Sequence, residues 1–118
     1  MGSSPAEDVP APQTETHVEH PPTPMTLRDF QQLIRDRYYA TDSARGPAKT
    51  YLWFVEEVGE LAHALGNLEK GKPDRANLEE EFADVIAWLA TLANISGVDL
   101  EQAIRAKYLT DGGPEGTK

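Results

Sequence analysis

The sequence contains no cysteine, which excludes a disulfide framework and any metal site built from thiolates. It has no apolar run long enough to cross a bilayer as a helix, and its N-terminus lacks the apolar segment of a secretory signal. Basic residues are scarce, with 11 Lys and Arg against 20 Asp and Glu and a net charge of −9. This balance argues against a nucleic-acid polymer or an anionic membrane as the main partner. We therefore expect a soluble, cytoplasmic protein.

The 118 residues suffice for one domain with a modest core. Residues 1–24 combine many prolines with acidic and polar residues and have almost nothing apolar to bury, so we expect a disordered tail. Residues 110–118 are rich in glycine and are expected to form a second disordered tail. The ordered domain then spans residues 25–109, and no alternating pattern typical of strands competes with helix in it.

The first half of this domain carries signals for two helices. Thr26 followed by Asp29 predicts a capping box at the start of the first helix. The polar residues 41–46 are expected to form a loop. Pro47 then suits the first turn of the second helix, which we expect to run to about Gly66.

The second half carries signals for two more helices. Residues 67–73 contain glycine and proline and predict a turn. Asp74 or Asn77 can cap the third helix, and Gly97 fits its C-terminal cap. Asp99 can cap a short fourth helix that runs to the end of the domain. The expected fold class is therefore all-α, with four helices.

Two acidic segments share one pattern and lie inside the second and third helices. Residues three apart share one face of a helix, so Glu57 projects with Glu60, and Glu81 projects with Asp84. In both helices these acids border the apolar stripe, whereas a solvated charged face would lie opposite it. The two segments are Glu56–Leu61 and Glu80–Val85.

An antiparallel hairpin of these two helices would gather the acids into one cluster. Glu57 would lie level with Asp84, and Glu60 with Glu81. Four carboxylates held together repel one another and are costly to bury unpaired. A hard cation with oxygen ligands resolves this, and Mg²⁺ is expected because it commonly bridges carboxylates to substrate phosphates, with Mn²⁺ as a substitute. A single acid on a helix is usually just solvated, but the repeated motif favours a metal site here.

A metal of this kind polarises a phosphoryl group and activates a water molecule. Glu56 points about 100° away from Glu57 on the helix, so it is less central to the metal. We expect Glu56 to hold or deprotonate the attacking water. Glu56 and Glu57 are thus the candidate catalytic residues.

The same register places Trp53 level with Trp88, at one end of the acidic cluster. Tryptophans in small bundles often only fill the core, but here they could form a stacking platform for a nucleobase. Trp88 lies nearer the acidic face, so we expect it to be the main stacking partner and Trp53 to belong to the core. Lys49 and Lys107 are candidate contacts for a polyphosphate, although lone surface lysines usually only confer solubility.

The segment from about Thr26 to Tyr108 resembles the MazG-like, all-α nucleoside triphosphate pyrophosphohydrolases. That family has the signature Glu-Glu-x-x-Glu followed by Glu-x-x-Asp. In this chain the signature is met by Glu56, Glu57, Glu60, Glu81 and Asp84.

The resemblance implies Mg²⁺-dependent hydrolysis of a nucleoside triphosphate to the monophosphate and pyrophosphate, often as house-cleaning of nucleotide pools. It also implies that helices from two subunits complete each site, which makes a homodimer or homotetramer the expected assembly. An aromatic residue at the position of Trp88 contacts the base in some relatives. The chain departs from the family in its N-terminal tail and in lacking a basic segment after Tyr108.

Two other functions are compatible with these residues. Glu60 and His63 form a Glu-x-x-His motif like those of di-iron carboxylate bundles. Such bundles need a second copy of the motif, and Ala87 stands where its histidine would be. The other alternative is a helical module that binds nucleotide or oligomerises without catalysis.

Overall fold

The computed structural model describes residues 24–110, which form four α-helices and no strand. The predicted all-α class with four helices is thereby confirmed. The predicted disordered tails, residues 1–24 and 110–118, lie outside the described residues except for one residue each. In chain order the helices are α1 (Leu27–Arg45), α2 (Pro47–Glu69), α3 (Arg75–Ser96) and α4 (Leu100–Tyr108).

The helix ends follow the local signals closely. Thr26 Oγ1 accepts a hydrogen bond from the Asp29 backbone N–H at 3.0 Å, and the Asp29 carboxylate accepts from the Thr26 N–H at 3.1 Å. Asp74 and Asp99 cap α3 and α4, each accepting a hydrogen bond from the backbone N–H three residues later. Gly97 ends α3 with φ of 72°, in the left-handed region that favours glycine.

The predicted loop at residues 41–46 is wrong, because α1 continues through it to Arg45. Asp42 is fully buried there and accepts a hydrogen bond from Thr91 Oγ1 of α3 at 3.0 Å. This tertiary contact outweighs the low helix propensity of the polar segment. Gly46, with φ of 89°, is the one residue that interrupts the helical conformation between α1 and α2. The second helix also runs to Glu69, three residues beyond Gly66.

The third helix is central, since it packs against both α1 and α2, while α4 packs on α1. The short connection between α2 and α3 makes these two helices antiparallel neighbours. The core is small and lies mainly between α1 and α3. Its buried members are Ile34, Tyr38 and Ala90, with Phe30, Ala87 and Leu100 packed against them.

A pair of side-chain amides joins α1 to the corner between α3 and α4. Gln31 Nε2 donates to Asn94 Oδ1 at 2.9 Å and to the Val98 carbonyl oxygen at 2.7 Å. The Leu100 backbone N–H donates to Gln31 Oε1 at 2.9 Å, and Asn94 Nδ2 donates to the Gln31 carbonyl oxygen at 3.2 Å. We call Gln31 and Asn94 the amide cluster; both residues are buried.

The outer sides of α2 and α3 keep large apolar side chains exposed. Their helical spacing gives each helix one apolar stripe. We call this surface the apolar face; it comprises Leu52, Val55, Val58, Phe82, Ile86 and Leu89. No single helix within residues 24–110 is long and apolar enough to cross a membrane, and α3 with α4 meets that test only as a pair bent by 96°.

Candidate active site

Three of the predicted metal ligands converge between α2 and α3. Glu57, Glu81 and Asp84 each offer one carboxylate oxygen, and these oxygens lie within 4.8 Å of one another. Glu57 and Glu81 are buried, and Asp84 is half-buried. The i, i+3 spacing places Glu81 and Asp84 on one face of α3, opposite Glu57 on α2. We call these three residues the carboxylate cluster.

Glu60, the fourth expected ligand, is half-buried and does not join the carboxylate cluster in this structure. Packed helices cross at an angle of about 20–50°. Pairs of residues that lie level with each other on two antiparallel helices are therefore not all equally close. Glu56 is also half-buried. His63 is exposed and outside the cluster, so the described residues give the Glu-x-x-His motif no second feature of a di-iron site.

The donor set of the carboxylate cluster fits a hard divalent cation. All three donors are carboxylate oxygens, the ligand type that such cations prefer. Two oxygens on opposite sides of a small ion such as Mg²⁺ lie roughly 4.2 Å apart. Small shifts of the side chains would let the three oxygens bind one ion, which would also offset the repulsion among the acids.

The tryptophans meet as the register predicts, but their burial is the reverse of the expectation. The ring centroids of Trp53 and Trp88 are 5.5 Å apart, with the rings nearly perpendicular at 81°. Trp88 has no exposed surface, whereas Trp53 is half-buried. The expected preference for Trp88 as the accessible ring is thus not met, because α1 covers this part of α3.

Arg45 is the main residue that the sequence reasoning missed. Its guanidinium carbon lies 4.7 Å from the Trp53 ring centroid and 4.9 Å from the Trp88 centroid. Arg45 Nη2 donates to Asp42 Oδ1 at 2.6 Å. Assigning residues 41–46 to a loop hid this pair, although an acid and an arginine three residues apart are a recognisable signal within a helix.

The two candidate lysines differ in their relation to this site. Lys49 Nζ lies 6.0 Å from the Trp53 ring centroid, at the tryptophan end of the carboxylate cluster. Lys107 is exposed on α4, and its Nζ lies 5.3 Å from the ring of its neighbour Tyr108. The structure therefore places Lys49, but not Lys107, beside another candidate site residue.

A family model described as the MazG nucleotide pyrophosphohydrolase domain matches residues 45–108. The chain belongs to this family. The matched segment begins at Arg45 and covers α2, α3 and α4, so it includes the whole carboxylate cluster and both tryptophans.

Curated relatives of the MazG family agree with this assignment. The chain is 34% identical over 84 residues to a dATP/dGTP diphosphohydrolase of Cyanophage S-2L, covering 71% of each protein. It is 32% identical over 116 residues to dCTP pyrophosphatase 1 of Homo sapiens, covering 90% of this chain and 66% of that protein. It is also 33% identical over 94 residues to the uncharacterized protein YvdC of Bacillus subtilis, covering 70% and 89%. The family and the named relatives make the chain a nucleotide pyrophosphohydrolase.

Proposed function

We propose that this chain hydrolyses a ribo- or deoxyribonucleoside triphosphate to the monophosphate and pyrophosphate, using Mg²⁺ held by the carboxylate cluster, with Mn²⁺ as a substitute. The observation that carries this proposal is the gathering of three carboxylate oxygens within 4.8 Å, inside a MazG nucleotide pyrophosphohydrolase domain. Like charges held close together repel one another. A divalent metal and a polyphosphate account for the arrangement.

In this proposal Glu57, Glu81 and Asp84 hold the metal, and Glu60 completes the set by turning toward it. The bound metal supplies Lewis acidity toward the phosphoryl oxygens and lowers the pKa of a bound water. Glu56 orients the attacking water and receives its proton. The chain itself positions these groups on two helices, which fixes the carboxylates before substrate arrives.

The base lies toward the tryptophans, and the phosphates lie toward the carboxylates. This order puts the α-phosphorus nearest the activated water, as attack with release of pyrophosphate requires. Trp53 is the tryptophan with exposed surface, so we assign it the base contact and give Trp88 a supporting place behind it. Lys49 lies at the tryptophan end of the site, so we propose it as a substrate contact on the base side, and Lys107 would act only from another subunit.

We further propose that the chain works as a homodimer or a homotetramer joined through the apolar face. Leu52 and Phe82 expose 66% and 49% of their surface there, and exposed apolar patches commonly mark protein interfaces. A Cβ added at Gly59, on α2, would meet nothing within 4 Å, so none of the residues 24–110 lies close to it there. Sedimentation at micromolar concentration should show a dimer or a larger even-numbered oligomer. A monomer that still hydrolyses nucleotides would contradict this assembly.

The proposed cellular role is house-cleaning of nucleotide pools in the cytoplasm. The relatives' names support a nucleotide substrate, since one is called a dATP/dGTP diphosphohydrolase and another a dCTP pyrophosphatase. Their bases differ, so the base that this chain selects must be measured directly.

A panel of canonical and modified nucleoside triphosphates tests the proposed reaction. Each nucleotide is incubated with the full chain and Mg²⁺, and pyrophosphate and orthophosphate are measured separately. We expect pyrophosphate and the monophosphate from at least one nucleotide, and no turnover with chelator. Binding of nucleotide without any pyrophosphate would favour a non-catalytic module, and iron that copurifies with the chain would favour a di-iron bundle.

A further inference from the structure

The Asp42–Arg45 ion pair is buried and anchored on three helices. The two side chains are only 1% and 6% exposed. Asp42 accepts a hydrogen bond from Thr91 of α3 at 3.0 Å. Arg45 Nε donates to Thr50 Oγ1 of α2 at 3.0 Å, while Thr50 Oγ1 donates to the Gly46 carbonyl oxygen at 2.6 Å. The guanidinium group is therefore held through two of its nitrogens, Nε by Thr50 and Nη2 by Asp42.

Stability alone does not explain this pair. A buried ion pair seldom adds net stability, because the cost of desolvating two charges offsets their attraction. The pair does give Arg45 a fixed orientation over two aromatic rings, with its guanidinium carbon 4.7 Å from the Trp53 centroid and 4.9 Å from the Trp88 centroid. Directional contact with both rings is what an apolar replacement would lose.

Arg45 is also the polar group that holds the buried ring. Among the described residues, the Trp88 indole Nε1–H is buried and has no hydrogen-bond partner. No hydrogen bond of its own therefore sets the rotation of Trp88 about its side-chain bonds. Arg45 on one side and the perpendicular Trp53 ring at 5.5 Å supply the specific contacts that do.

We propose that Arg45 is a positioning residue for base recognition. Held by Asp42, it fixes the angle between Trp53 and Trp88 and so presents the half-buried Trp53 ring to the nucleobase. This inference rests on the proposed function, in which the base lies at the tryptophan end of the site. A lysine would keep the charge but lose the planar, forked group that contacts both rings and Thr50.

The test compares four variants of the full chain with wild type. Arg45→Lys removes the planar group, and Thr91→Val removes only the hydroxyl that donates to Asp42, as a milder change for the case that Arg45→Lys does not fold. Arg75→Lys is the matched control, since Arg75 is 76% exposed and pairs with Glu79 of its own helix. Two readouts are taken: steady-state kinetics with a nucleotide that the panel identifies, and the exciton-coupled circular dichroism band of the indole pair. Trp53→Phe identifies that band, because it removes one of the two coupled rings.

We expect Arg45→Lys to weaken the coupled band and to raise KM about tenfold, with kcat changed less than about twofold. Thr91→Val should act in the same direction with a smaller rise, about threefold. Arg75→Lys should match wild type in both readouts. A coupled band and a KM like those of wild type in Arg45→Lys and Thr91→Val would overturn the proposal, and so would a fall in kcat at constant KM.

The circular dichroism separates this inference from the proposed function. If the wild-type chain turns over no nucleotide, the proposed function fails, while loss of the coupled band in Arg45→Lys still shows that Arg45 orients the rings. If nucleotides are turned over and the band does not depend on Arg45, the positioning role fails while the proposed function stands.

Discussion

The amide cluster and the carboxylate cluster combine polar groups in opposite ways. In the amide cluster, Gln31 Nε2 donates to two oxygen acceptors and Asn94 Nδ2 donates to one. Both side chains are neutral. In the carboxylate cluster, three acidic oxygens lie within 4.8 Å of one another. The first arrangement matches donors to acceptors, whereas the second gathers groups of one kind and one charge.

In our proposal, this difference separates a structural cluster from a functional one. Matched buried amides tie α1 to the corner between α3 and α4, and a group of this kind stabilises the fold it occurs in. The acids of the carboxylate cluster repel one another, and a bound cation would relieve that repulsion. Removing a member of the amide cluster should therefore harm folding, while removing a member of the carboxylate cluster should harm only activity.

The largest expected effect comes from Glu81→Gln, which keeps the shape of the side chain and removes its charge. Loss of a direct metal ligand should lower kcat/KM by on the order of 100-fold or more, because loss of groups that only orient ligands already costs 10–100-fold. The free energy of unfolding should stay level or rise, because a repulsion is relieved. Pyrophosphate release and chemical unfolding measure the two quantities.

Glu79→Gln is the control for this substitution. Its side chain is 68% exposed and pairs with Arg75 on the surface of α3, so both activity and stability should match wild type. If Glu81→Gln turns over nucleotide like wild type, the carboxylate cluster is not the active site. If Glu81→Gln unfolds more easily than Glu79→Gln, the cluster is structural after all.

A middle-sized effect is expected from Asn94→Ala in the amide cluster. The substitution leaves the Gln31 carbonyl oxygen without the Asn94 donor and Gln31 Nε2 with the Val98 carbonyl alone. The free energy of unfolding should fall by about 1–3 kcal/mol, while kcat/KM below the unfolding transition stays unchanged. Gln32→Ala, at an exposed position, should change stability by less than about 0.5 kcal/mol. A loss of activity in folded Asn94→Ala would remove the distinction between the two clusters.

The smallest expected effect is on the pH dependence of stability. It comes from Asp99, which lies next to the amide cluster. The Gln102 backbone N–H and the Arg28 guanidinium, which donates at 3.0 Å, hold the pKa of Asp99 below its ordinary value of 3.8. A carboxyl with a lowered folded-state pKa stabilises the fold above its ordinary pKa, and this contribution is lost as pH falls through the lowered value. Asp99→Asn keeps a capping side chain without the charge. The stability of wild type should therefore exceed that of the variant above pH 3.8, and the two should converge in stronger acid; parallel curves would contradict this.

Local signals in the sequence predicted the helices well. The capping pairs at Thr26 and Asp99, and Gly97 at the end of α3, act through contacts between residues a few positions apart. The repeated acidic motif likewise predicted that Glu57 meets Glu81 and Asp84, because helical spacing and an antiparallel hairpin fix that geometry. Such features depend on local spacing along the chain and on the antiparallel pairing of two neighbouring helices.

The features that the sequence did not predict depend on contacts between segments that are far apart along the chain. Residues 41–46 look like a loop until Thr91, far along the chain, donates to the buried Asp42. The burial of Trp88 follows from Arg45 and α1 covering it, which a helical wheel of α3 alone does not contain. Glu60, which the same motif predicted to join the other acids, lies outside the carboxylate cluster.

The most direct test of the central claim is the effect of Mg²⁺ on stability in the absence of nucleotide. A metal that binds only the folded chain adds about 2.7 kcal/mol to the free energy of unfolding at a concentration 100 times its Kd. We predict that wild type and Asn94→Ala gain stability with Mg²⁺ in parallel, and that Glu81→Gln gains little. Equal gains in wild type and Glu81→Gln, or no gain in either, would contradict the claim that the carboxylate cluster is a metal site.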